Sequence, residues 1–78
     1  MNDVEILESV CGGVKIKDMT AITFYGWLAS KLNGIASSMS APAVELRTAV
    51  ANPPMIRKLS DDSKISYVRK LLALGITL

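Results

Sequence analysis

The chain contains no histidine and a single cysteine, Cys11. Without histidine there is no Ser–His or Cys–His pair, and the commonest general acid–base is missing. One thiol excludes an intramolecular disulfide. Together with the missing imidazole it also removes the common zinc ligand sets. Charge is scarce as well: 21% of the 78 residues are charged, 50% are apolar, and the net charge is +2. So small an excess does not mark a nucleic-acid binder by itself. Long apolar runs are missing too. The longest uncharged spans, Met19–Ser30 and Leu32–Val44, fall short of the ~20 apolar residues a membrane crossing needs. The second is also broken by Asn33, several serines and Pro42. The acidic amino-terminal stretch does not read as a signal peptide, and a cytoplasmic, reducing location is the expectation.

What is left in the inventory for chemistry is thin. Cys11 reads as a small buried apolar residue, because the carboxyl-terminal end of a helix raises rather than lowers a thiol pKa. Ser60/Lys64 and Ser66/Lys70 stand one helical turn apart and read as solvated surface neighbours. Asp61-Asp62 suits a helix start better than a cation site, since no further oxygen ligands follow at loop spacing. Gly12-Gly13-Val14-Lys15 lacks the spacing of a phosphate-binding loop. No catalytic, metal or cofactor-binding residue is assigned, no small-molecule substrate is implied, and the chain is expected not to be an enzyme.

Start and stop signals divide the chain into helices. Asn2 caps a first helix, with Glu5 reaching back from the third helical position, and Gly12-Gly13 stops it. Val4, Leu7 and Cys11 line its apolar face. Asp18 or Thr20 caps a second helix, whose apolar seam of Ala21, Tyr25, Leu28, Leu32, Ile35 and Met39 alternates in steps of four and three. Held over residues 20–39, that seam predicts a helix of roughly 30 Å. Ser40 and Pro42 open a third helix faced by Ala43, Leu46 and Val50. Asn52-Pro53-Pro54 breaks it and starts a short helical turn through Leu59. Ser60, Asp61 and Asp62 open the last helix, and Gly75 closes it. Val14–Lys17 and Gly75–Leu78 alternate like strands and could pair as a minor two-stranded patch, weak by itself. The expected fold is therefore all-α. It is a single domain, residues 1–78, with four to five helices bundled around one long central helix.

The second face of that central helix points to function. Gly26, Ser30, Asn33 and Ser37 repeat the seam's own steps and carry no charge, where a solvated face would carry lysine and glutamate. Trp27 lies between this face and Lys31, with Phe24 flanking the seam, and tryptophan is enriched where one polar atom stays wet at an interface. Small size and low charge both suit a surface covered by another chain. The expectation is a non-enzymatic protein acting by protein contact. It is either a self-associating structural subunit or a small accessory or inhibitory protein docked on a larger one. Phe24, Gly26, Trp27, Ser30, Lys31, Asn33 and Ser37 are its contact residues. The alternative is a helix-turn-helix-like nucleic-acid module over residues 41–74 using Arg57, Lys58, Lys64, Arg69 and Lys70. The acidic start of its second helix, where base edges would be read, counts against it. A third reading, peripheral membrane attachment through the last helix, is weakened by the same acidic pair.

Overall fold

The structure is a computed structural model describing Met1–Leu78. It contains α1 (Asp3–Glu8), β1 (Val10–Cys11), β2 (Val14–Lys15), α2 (Ala21–Leu32), α3 (Ala41–Ala51) and α4 (Asp61–Ala73), with 3₁₀ turns at Ile16–Asp18 and Asn33–Ile35. The chain is mostly helical, as its periodicity predicts. Successive elements lean on one another: α2 on α3, α3 on α4, and α4 on α1 and the first 3₁₀ turn.

The start signals act as read. Asn2 Oδ1 accepts from the Glu5 N–H at 2.8 Å while Asn2 Nδ2 donates to the Glu5 carboxylate at 3.1 Å. Thr20 accepts from the Thr23 N–H, and Ser60 from the Ser63 N–H, each at 3.2 Å. Each cap satisfies one of the donors that a helix start leaves open. Ser40 holds the capping position of α3 but makes no side-chain cap bond there. At the other end of α4, Gly75 (φ 78°) lets its own N–H reach the Leu72 carbonyl and the Ile76 N–H reach Leu71. That is a Schellman closure, which needs a left-handed residue where Gly75 stands.

Four expectations need correction. The α-helix of α2 ends at Leu32, and a 3₁₀ turn carries the chain only to Ile35. Asn33-Gly34 lacks the propensity to continue it, and Arg47 of α3 donates to the Ile35 carbonyl at 3.1 Å, which holds the turn in place. Met39, the last residue of the expected seam, is 82% exposed. At 12 residues α2 is one shorter than α4, so no single helix spans the fold. Next, α1 stops at Glu8, not at the glycines. Gly12 and Gly13 (φ 59° and 83°) instead form a two-residue hairpin turn pairing Cys11 with Val14 and Val10 with Lys15. Positive φ at both central positions is what a type I′ turn demands. The strand partner of Val14-Lys15 is therefore Val10-Cys11, not Gly75–Leu78, and Ile16–Asp18 is a 3₁₀ turn. Finally, no helical turn follows Pro53-Pro54; the segment crosses to α4 without regular structure, pinned by the buried Leu59.

The core gathers around α2, which contributes Ala21, Phe24, Tyr25, Leu28 and Leu32, and is completed by Ile6, Cys11, Ile16, Met19, Leu46, Leu59, Val68 and Leu71. One charged residue is buried among them. Lys64 is 0% exposed, and its ammonium donates to the main-chain oxygens of Lys17 and Met19, both at 2.8 Å. Those carbonyls belong to the first 3₁₀ turn and its exit, so the lysine staples α4 to the approach to α2. No helix of the structure is long and apolar enough to cross a membrane.

Candidate interaction surfaces

All four aromatic side chains converge on one cluster. Phe24 lies at its middle, with ring centroids 5.5 Å from Trp27, 6.3 Å from Tyr25 and 6.1 Å from Tyr67. Tyr25 and Tyr67 meet edge to face at 5.8 Å, and their hydroxyls share a hydrogen bond of 3.1 Å between α2 and α4. Such pairs add to simple area burial. Phe24 is 0% exposed, so it is withdrawn as a contact residue: it is core.

Trp27 is half-buried, packed on that core. Its Nε1 is the part turned inward, buried and without a hydrogen-bond partner. This reverses the expectation of a wet polar tip. The indole N–H lies near the Cys11 thiol. Burial pushes that thiol pKa up, against smaller opposing pulls from the Lys31 ammonium and the indole. Lys31 is itself committed: it donates to the carbonyls of Thr77 and Leu78 at 3.1 and 3.2 Å, tying the last residues of the chain to α2.

The remaining contact candidates, Gly26, Ser30, Asn33 and Ser37, are all exposed. Only Gly26 and Ser30 lie on α2; Asn33 opens the 3₁₀ turn and Ser37 lies beyond it, so the expected four-residue helix face does not continue past Ser30. The α2 surface holding Gly26 and Ser30 is nevertheless wider than the sequence pattern indicated. Ile22 and Ala29 belong to it, at helical steps of four and three from Gly26, and Ile22 is 84% exposed. A Cβ built on Gly26 would meet nothing within 4 Å. Between Ala21 and Ser30 the helix has no charged residue. Ile22 escaped notice because it belongs to neither the apolar seam nor the small-residue steps. Tracing Gly26 back by four would have found it.

The five candidate cations do not act together. Arg69 pairs with Asp3 of α1. Lys70 pairs with Glu45 of α3 at 3.1 Å and lies 5.6 Å from the centre of the Tyr67 ring. Lys64 is buried and cannot meet a ligand backbone. Arg57 and Lys58 alone are exposed and unpaired. The connection between α3 and α4, Asn52–Ser60, is also far longer than the 3–4-residue turn of a helix-turn-helix unit.

Neither a protein-family model, nor a curated protein, nor a solved structure matches the chain.

Proposed function

We propose that this is a non-enzymatic protein that works by contact with another protein chain through the outward face of α2. The observation that carries this reading is Ile22, a large aliphatic side chain 84% exposed on a helix face otherwise made of Gly26, Ala29 and Ser30. Small residues let a second backbone approach closely, and the apolar side chain at one end gains once water is displaced, by roughly 1.5–3 kcal/mol if fully covered. A face meant for water would hold charged residues, which also favour helix.

The partner is a second copy of this chain or the surface of a larger protein. Light scattering across a concentration series separates them: mass that rises with concentration and returns to the monomer value in Ile22→Glu identifies self-association. A mass that stays monomeric at every concentration excludes the self-associating subunit. If the same substitution then leaves capture of a purified partner intact, this face has no role in contact at all.

A further inference from the structure

The nine basic side chains divide cleanly by what they touch. Lys15, Arg69 and Lys70 pair with carboxylates. Lys31, Arg47 and Lys64 donate to main-chain carbonyls. Lys17, Arg57 and Lys58 have neither kind of partner, and all three line the same open cleft, with Asp18, Met19 and Thr20 completing its wall. Its volume is about 370 Å³, within the roughly 300–1,000 Å³ of small-molecule sites. Asp18 is the one opposing charge.

The cleft is held by the fold and does not depend on the three side chains themselves. The Arg57 carbonyl accepts from the Ala21 N–H at 3.2 Å. This fixes the otherwise irregular Asn52–Ser60 segment beside the start of α2. On the other wall, Lys17 and Met19 are held through their carbonyls by the buried Lys64 ammonium, which has no carboxylate within ion-pair distance. The Asp61 and Asp18 carboxylates act on that ammonium only through space. The opening of α2 adds the positive end of a helix dipole.

We propose that this cleft binds a phosphate group, with the Arg57 guanidinium and the Lys17 and Lys58 ammonium groups as its ligands. Arg57 supplies the planar fork that meets two phosphate oxygens, and the lysines act as point charges. The proposal is independent of the α2 contact face. Two sources share the chemistry: a small phosphate compound and the backbone of a nucleic-acid strand.

The test is amide NMR titration of the full chain with pyrophosphate and, separately, a short single-stranded oligonucleotide, at constant ionic strength with chloride as the balancing anion. The expected result is saturable shifts confined to Lys17–Thr23 and Arg57–Leu59. Arg57→Gln and Lys58→Gln should each weaken binding by about five- to tenfold, while Lys15→Gln, outside the cleft, changes it less than twofold. Equal affinity for both probes identifies the small phosphate as the ligand. An oligonucleotide preference that falls steeply with salt identifies a strand. Unsaturable shifts spread over all the lysines, or affinity unmoved by both Arg57→Gln and Lys58→Gln, overturn the proposal.

Discussion

The ammonium of Lys64 donates to the main-chain oxygen of Met19 at 2.8 Å, across 45 residues of sequence and with no access to water. Together with its second bond, to Lys17, it satisfies two carbonyls where the chain turns into α2. Lys64→Ala should therefore destabilise the fold by about 2–4 kcal/mol, since it strips a charged donor from two acceptors and opens a void. Lys64→Met should cost less, because it fills the stem's space and removes the burden of a desolvated charge. Urea unfolding of the three proteins measures both. Equal, sub-kcal/mol losses would mean that water reaches those carbonyls.

Lys64 and Tyr25 give alkaline stability two opposing slopes. Burial, the largest cause, pushes the Lys64 pKa below its usual 10.5. Between the folded value and 10.5 the unfolded chain binds more protons, so this residue's contribution rises with pH there. The Tyr25 pKa is pushed up from 10.0 to about 12 by burial and then by the Tyr67 hydroxyl. Between those values the unfolded chain has lost a proton that the folded chain keeps. Stability from Tyr25 is thus intact below pH 10 and declines up to pH 12, by at most about 1.4 kcal/mol per pH unit. Tyr25→Phe should flatten that decline and Lys64→Met the rise. Denaturant midpoints at a series of alkaline pH values would show each change.

The hairpin turn tolerates different residues at its two positions. Both glycines have positive φ and open space where a Cβ would stand, so only backbone strain is at issue. Gly12→Asn should be nearly neutral, since asparagine is favoured at the first position of a type I′ turn. Gly13→Ala should cost about 1–2 kcal/mol. Thermal melts distinguish the two.

Gly26 separates folding from contact. It sits inside α2 with nothing near its missing Cβ, so Gly26→Ala should raise stability by roughly 0.5–1 kcal/mol. Gly26→Lys should leave the helix intact while blocking close approach on that face. An association constant that ignores Gly26→Lys would contradict the proposed surface.

Much of this was legible where a residue acts on its near neighbours. The caps at Asn2, Thr20 and Ser60 and the stop at Gly75 are local chemistry, and each formed. Helix length was not local. Apolar spacing continues to Met39, but the chain leaves the α-helix after Leu32, where Arg47 of another helix catches the Ile35 carbonyl. The buried lysine was hidden for the same reason, as its acceptors lie 45 and 47 residues away. One sign was present: Lys64 stands four and seven residues before Val68 and Leu71, on the stripe that is buried. At the cleft, Arg57 and Lys58 drew attention as cations, whereas Lys17 did not. Only the fold brings it beside them.

The inward-turned indole of Trp27 gives the chain a built-in optical probe. It is the sole tryptophan, and its ring nitrogen is shut away from solvent beside a thiol and a phenyl ring. Its fluorescence should therefore emit toward the blue in the native state and shift red as the chain loosens. Every unfolding curve called for above can be recorded without attaching a label.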